Sequence, residues 1–294
     1  MPGVRMLPPS THARRPAQRS RSLGGPAFGF VIGVALTLIA SSALAAGDRG
    51  ADGRFERRDS FHFTLFQDVD IDQSGGFYGS RRFEQQLLAE LEKAFDALDG
   101  ILSLRPERKL VVYVWDPVLF DQEYAGLFRF PAAGFYGGSI HVRGGTQITP
   151  RLVRVLHHEL VHAAFDAEAP TVELPAWMNE GIAEWFEARA VGKRALDARE
   201  VGALRGLAVA GELFALADLS AASFGGLGPR AAQVAYLQSY AFVDSLVQSH
   251  GEKDLVRFWS EVVRARSIDR AVRRVYKKDL AALESAFRRS LGSP

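Results

Sequence analysis

The chain has 294 residues, 47% of them hydrophobic and 24% charged, which is enough to bury a substantial core in one or two closely packed lobes. Its formal net charge of +2 depends on five arginines within residues 1–45, which contain no lysine and no acidic residue. Without them, 31 of the 36 basic residues remain against 34 acidic ones, which argues against nucleic acid as a partner. The absence of cysteine excludes a disulfide framework and a thiolate metal site.

Residues 1–45 are predicted to be a signal peptide. A basic beginning precedes the apolar run FGFVIGVALTLIA, residues 28–40, which has the length of a signal-peptide core and is short for a membrane span. Residues 43–45, Ala-Leu-Ala, provide a small-residue cleavage site. We therefore expect an exported protein, either periplasmic or secreted from a bacterium. The alternative is an uncleaved N-terminal anchor, and a membrane is a partner only in that case.

The first predicted elements follow a polar segment, residues 46–59, that is predicted to be a linker. Apolar and polar residues alternate over residues 61–65 (FHFTL) and predict a strand, with His62 as a surface residue on its outer face. Residues 81–98 have the apolar spacing of an amphipathic helix, which Gly100 is expected to end.

Two further strand patterns come next. The β-rich apolar run LVVYVW, Leu110–Trp115, predicts a central strand. The glycine-rich residues 133–143 end in an alternating pattern and predict a hairpin at the edge of a sheet. Within it, His141 is expected at a rim or in solvent rather than bound to a metal.

The next predicted helix carries the pattern H-E-x-x-H at residues 158–162. Thr149 is a suitable N-cap and Pro150 a favoured first helical residue. Positions four apart on a helix lie on the same side, so His158 and His162 can offer imidazole nitrogens to one metal ion. Glu159 lies beside them and can act on a metal-bound water. Two histidines leave the site one protein ligand short of a catalytic zinc centre.

A second predicted helix, AWMNEGIAEWFEARA over Ala176–Ala190, offers candidates for the missing ligand. Its Glu180 and Glu184 are four residues apart and face the same way. One of them can bind zinc, while the other accepts a hydrogen bond from a ligand imidazole.

The run WMNEGIA, residues 177–183, resembles the W-L-N-E-G-F-A signature of the gluzincin (clan MA) metallopeptidases. This group includes the aminopeptidase N-like enzymes and, more distantly, thermolysin-like enzymes. The resemblance implies one Zn²⁺ per chain, with Glu180 as the third ligand and Glu184 as the carboxylate that orients a ligand histidine. The interval between His162 and Glu180 is one residue shorter than in aminopeptidase N-like enzymes. The resemblance also implies that residues 133–143 pair with the substrate backbone, although an ordinary hairpin edge has the same pattern.

After this helix the sequence becomes largely helical. Residues 234–240 (VAYLQSY) are similar to the helix I-S-Y-S-K-G-A of aminopeptidase N-like enzymes, with Gln-Ser in place of Lys-Gly. That similarity implies that Tyr236 hydrogen-bonds the oxyanion, with Tyr240 as the alternative. Without a catalytic role, both would be half-buried aromatic residues whose hydroxyls meet backbone groups.

These patterns predict an α+β, zincin-like fold. A catalytic lobe, residues 60–190, contains a mixed sheet and the active-site helix, and a helical lobe, residues 191–294, completes the cleft. The expected function is zinc-dependent hydrolysis of peptide bonds in a peptide or protein substrate. The exopeptidase motif G-x-M-E-N is absent from the sequence, which favours an endopeptidase. The alternatives are a cell-envelope binding or chaperone-like module with little turnover, and a zinc hydrolase of a non-peptide amide.

Overall fold

The structure describes little of the predicted signal peptide and only the end of the predicted linker. The computed structural model describes residues 34–35, 55–69, 78–124, 126–145 and 147–292. All of them belong to one compact unit, Val31–Pro294. The rest of the predicted signal peptide and residues 46–54 of the predicted linker lie outside these residues. In the described ranges, no helix combines the length and the apolar character that a membrane crossing requires.

A mixed sheet forms the N-terminal lobe. Its strands in the described residues are β1 (Val34–Ala35), β2 (Glu56–Asp59), β3 (Phe63–Asp68), β4 (Leu110–Trp115), β5 (Gly134–Tyr136) and β6 (Ile140–Arg143). The strand order is β1-β5-β6-β4-β3-β2. Strands β3, β4 and β6 are parallel, β2 pairs antiparallel with β3, and β5 forms an antiparallel hairpin with β6. The prediction that Leu110–Trp115 is a central strand is therefore confirmed.

Helices cover this sheet and make up the remainder of the described chain. They are α1 (Tyr78–Leu102), α2 (Pro117–Glu123), α3 (Pro150–Glu168), α4 (Ala176–Ala190), α5 (Ala198–Val209), α6 (Pro229–His250), α7 (Glu252–Ala265), α8 (Ile268–Tyr276) and α9 (Leu280–Ser290), with a short 3-10 turn at Asp218–Ser220. Helices α1 and α3 contact the sheet, α4 packs on α3, and α6 packs on α4. The predicted α+β fold, a sheet lobe followed by a mostly helical region, is confirmed.

The structure corrects the end of the predicted linker and the position of His62. Residues 56–59 form β2, which is held in place because the ring of Phe55 packs edge-on against Trp115 at 5.0 Å between ring centroids. The next strand starts only at residue 63, so His62 turns towards α1 instead of facing solvent. Its Nδ1 lies 2.6 Å from Glu92 Oε2, and its ring stacks on Phe95 at 3.6 Å.

The predicted end of the first helix at Gly100 is also wrong. Helix α1 continues to Leu102 because the apolar face continues, with both Leu98 and Leu102 buried. The helix instead ends at Ser103, which adopts a left-handed conformation with φ of 54°. Its amide donates to Asp99 O at 2.9 Å, as expected at a helix C-terminus.

Candidate metal and active site

Helix α3 carries the H-E-x-x-H residues into the interior. The Thr149 side chain accepts a hydrogen bond from Leu152 N at 3.1 Å and caps the helix, and Pro150 follows as its first residue. Every residue from 155 to 165 is buried, including both histidines of the motif and Glu159. Polar groups buried this deeply require partners, and the neighbouring helix supplies them.

Helix α4 lies against α3 and α6 and is buried on all sides over its first thirteen residues. Gly181 allows the close approach to α6, because a Cβ atom at this position would lie 2.7 Å from Ser239 O. No side chain longer than hydrogen fits there without movement of the backbone. The glycine that follows Glu180 therefore brings α6 into direct contact with the metal-site helix.

Three candidate metal-ligand atoms from the two helices lie close together. Nε2 of His158 lies 3.2 Å from Oε2 of Glu180, and Nε2 of His162 lies 3.5 Å from the same oxygen. The three residues are buried and offer ligand atoms that all lie within 4.8 Å of one another. Nε2 of His162 has no hydrogen-bond partner among the described residues, as expected of an atom placed to bind a cation. Two imidazoles and one carboxylate fit a catalytic zinc centre.

The remaining nitrogen of each histidine faces a different acceptor. Nδ1 of His162 lies 2.9 Å from Oδ1 of Asn179, which fixes the ring orientation. Nδ1 of His158 lies 3.7 Å from Glu184 Oε1 and 3.6 Å from Glu187 Oε2. Sequence reasoning did not identify Asn179 and Glu187. Their positions within the motif helix, one residue before and seven residues after the predicted ligand, were the signal that could have identified them.

The cluster is strongly acidic, and this shifts the pKa values of its members. Burial lowers the pKa of His158, but interactions with Glu180 and Glu187 raise it by more, so that it stands well above 6.5. Burial raises the pKa of Glu184 to about 8, with the nearby charge of Glu187 adding to the effect. Burial also favours the neutral form of His162 and lowers its pKa. The site therefore attracts a positive charge at its centre.

Tyr236 on α6 lies next to this cluster. Its ring centroid is 6.5 Å from that of His158, and its hydroxyl is buried without a hydrogen-bond partner among the described residues. Burial raises the pKa of Tyr236 well above 10, and the charges of Glu180 and Glu159 raise it further. The hydroxyl therefore keeps its proton and can donate it in a hydrogen bond. Tyr240 lies one turn further along, where Lys193 Nζ is 5.1 Å from the centre of its ring.

The glycine-rich hairpin is positioned directly beside α3. A Cβ atom on Gly134 would lie 2.7 Å from Val155 Cγ1, so β5 can approach the helix this closely only with glycine. On its other side β5 pairs in parallel with β1, through Val34 and Phe135. Its predicted pairing with a substrate backbone stays a prediction.

The other two histidines of this region do not join the cluster. His141 is half-buried, with the rings of Tyr113 and Phe135 stacked on either side of it at 4.9 Å each. Its Nδ1 accepts from Trp115 Nε1 at 3.1 Å. His157 is held by a contact of 2.8 Å between its Nδ1 and the carbonyl oxygen of Val153.

A cavity of about 630 Å³ adjoins the site. Its lining includes Phe130, whose ring lies 6.4 Å from that of Tyr236. It also includes Leu152 and Val155, which share a face of α3 with Glu159 because they precede it by seven and four residues. The volume is within the range of small-molecule and side-chain binding sites.

Two helices that present two histidines and a glutamate to one point, with a further glutamate alongside, define a site of the metal-dependent hydrolase class. Residues 110–293 match the sequence profile of the Peptidase MA superfamily, and the chain belongs to that superfamily. The match runs from β4 to α9 and contains both metal-site helices. The family assignment supports a peptidase-like hydrolase, and zinc is the metal of typical members. Among curated proteins, no significant match to this chain was found.

Proposed function

We propose that the protein is an exported, zinc-dependent metallopeptidase that hydrolyses internal peptide bonds of peptides or proteins. The observation that carries this proposal is the convergence of His158, His162 and Glu180 beside Glu159 and Tyr236. A binding module would have no need of a buried glutamate next to two metal-ligating histidines. The predicted signal peptide supports export.

The chemistry is divided among the residues of the site. Zinc held by His158, His162 and Glu180 would polarise the scissile carbonyl and lower the pKa of a water molecule towards about 7. Glu159 accepts a proton from the attacking water and passes it to the leaving amine. Tyr236, which keeps its proton, donates a hydrogen bond to the oxygen on which negative charge develops.

Two surfaces next to the site suit a peptide substrate. Strand β5 lies beside the active-site helix, and its outer edge, which β1 occupies in the full chain, would be free to align with a substrate backbone once residues 1–45 are removed. The cavity lined by Phe130 and Val155 can accept a side chain next to the cleaved bond. The absence of the G-x-M-E-N motif, which would hold a substrate amino terminus, favours cleavage within a chain over removal of single residues.

A cleavage profile of mixed peptides tests the proposal. The chain from Ala46 would be compared with its Glu159→Gln variant, and the zinc content of both proteins would be measured. We expect the parent to cut peptides and the variant to lose about 100-fold to 10,000-fold in turnover, because it keeps the shape of the side chain but not the base. Removal of zinc with a chelator is expected to abolish cleavage, and added zinc to restore it.

The other outcomes separate the alternatives. Stoichiometric zinc without peptide cleavage would favour the binding module or the hydrolase of a non-peptide amide. Equal cleavage by parent and variant would contradict the assignment of Glu159 as the base.

A further inference from the structure

The metal site continues beyond its ligands into a buried ion pair between α3 and α4. Residues Arg154, His158 and His162 are each four positions apart, so they lie along one face of α3. The facing side of α4 carries Glu180 and Glu187 at i and i+7, which also share a face. Contacts between the two faces alternate in charge along the helices, from Arg154 to Glu187, to His158 and to Glu180.

We propose that Glu187, held in place by Arg154, is the residue that positions His158 on the metal. This inference rests on the proposed metal site. It assigns to Glu187 the orienting role that the family resemblance gave to Glu184. Distance alone does not separate the two candidates, because their oxygens lie 3.6 Å and 3.7 Å from His158 Nδ1. The partners of the two carboxylates do separate them.

Glu187 is fixed at its other oxygen. Nε of Arg154 donates a hydrogen bond to Glu187 Oε1, which leaves Oε2 directed at His158 Nδ1. The Glu187 side chain is fully buried, and its charge is balanced by the guanidinium, which remains about one third exposed. The contact of 3.6 Å between Oε2 and Nδ1 is longer than a hydrogen bond, and a small tilt of the His158 ring would let Nδ1–H donate to this oxygen and leave Nε2 for the metal.

Glu184 has no comparable support. The contact of its carboxylate with His158 is its one ion pair among the described residues, whereas Glu187 has a second ion pair, to Arg154. In the described part of the chain, no Arg or Lys contacts the Glu184 carboxylate to fix its orientation. It therefore determines the direction of the histidine ring less strongly than Glu187 does.

Zinc affinity, measured by competition with a chelator, tests the proposal on the folded full-length chain without any need for catalysis. We expect Glu187→Gln to weaken zinc binding by about 10-fold to 100-fold. We expect Glu184→Gln to stay within about 3-fold of the parent, less than the loss typical for an orienting residue. The absorption spectrum of the Co²⁺-substituted protein should change in Glu187→Gln and not in Glu184→Gln, because the ring of His158 tilts only when its acceptor is lost.

Variants of Arg154 test the same proposal without changing either carboxylate. Arg154→Gln should weaken zinc binding, Arg154→Lys should recover most of the loss, and Arg154→Gln should add little in the Glu187→Gln background. The matched control is Arg108→Gln, which removes an ion pair of 3.1 Å to Asp166, also on α3 but at its far end. This control should leave zinc affinity unchanged, and melting of the metal-free proteins shows how much each variant affects the fold.

Three results would overturn the inference. A loss of affinity in Glu184→Gln that exceeds the loss in Glu187→Gln would return the role to Glu184. Parent-like affinity in both Glu187→Gln and Arg154→Gln would show that the ion pair only stabilises the fold. A parent chain that binds no zinc would contradict the metal site itself, and with it the proposed function. A zinc-binding parent with unchanged variants contradicts only the positioning role.

Discussion

His158 is fully buried among carboxylates, whereas His141 is half-buried among aromatic rings. Interactions with Glu180 and Glu187 outweigh the effect of burial on His158 and raise its pKa well above 6.5. Around His141 nothing opposes burial, which lowers its pKa to about 4. The surroundings of the imidazole therefore favour a positive charge in one region and keep the side chain neutral in the other.

The two regions differ in what a substitution should change. The α3–α4 region contains the proposed metal ligands and their charged neighbours, so its variants should lose zinc or turnover. The aromatic region joins β3, β4, β6 and β5 through the stacked rings of Phe66, Tyr113, His141 and Phe135, so its variants should alter the stability of the sheet.

The largest effect is expected from Glu180→Gln in the metal region. Removal of the third ligand should weaken zinc binding by more than about 100-fold, because the loss of an orienting residue alone costs about 10-fold to 100-fold. The melting temperature of the metal-free protein should stay near that of the parent, since the amide has nearly the same shape and its oxygen can still accept a hydrogen bond from His158. Chelator competition and thermal unfolding measure the two quantities. Parent-like zinc affinity would rule out Glu180 as a ligand.

The next largest effect is expected from Tyr236→Phe. Loss of one hydrogen-bond donor to the oxyanion should lower kcat by about 100-fold to 1,000-fold, while zinc content is unchanged. Tyr240→Phe is the matched control, because this tyrosine contacts Lys193 instead of the cluster. Steady-state kinetics on a peptide that the parent cuts would measure both. Full turnover by Tyr236→Phe would remove this residue from the mechanism.

The aromatic region should respond to pH. The pKa of His141 is lower in the folded protein than in the unfolded chain, so its contribution to stability is present above pH 6.5 and lost as the pH falls towards 4. Between pH 7 and pH 5 this loss should reach about 2 kcal/mol. Urea unfolding of the parent and of His141→Phe at both pH values would measure it. An equal loss in both proteins would show that other groups cause it.

The smallest effect is expected away from both regions, at Gly100 in α1. This glycine lies within a helix, and a Cβ atom there would meet nothing within 4 Å. Gly100→Ala should therefore stabilise the protein by about 0.5 to 1 kcal/mol, through the higher helix propensity of alanine. Zinc affinity and turnover should not change. Destabilisation in urea unfolding would show that the helix does not continue through this position.

The helical part of the site could be read from the sequence because helical periodicity alone places His158, Glu159 and His162 on neighbouring faces. The ion pair between Arg154 and Glu187 could not be predicted from the sequence, because it depends on how α3 and α4 pack together. The aromatic surroundings of half-buried His141 could not be predicted either, because they arise from strand register. Its neighbours Tyr113 and Phe135 stand opposite it on two different strands, and alternation within one strand carries no information about such pairing.

The contact of Gly181 with Ser239 has a consequence for inhibitor design. A side chain is also present at this contact, because Val243 Cγ2 would lie 2.8 Å from a Cβ atom on Gly181, so the two helices have no room to approach more closely. Glu180, one residue before this contact, and Tyr236, three residues before it on the other helix, are therefore carried by helices whose backbones touch next to the candidate site. A compound with one group for the proposed metal and another for the Tyr236 hydroxyl would bind across this contact.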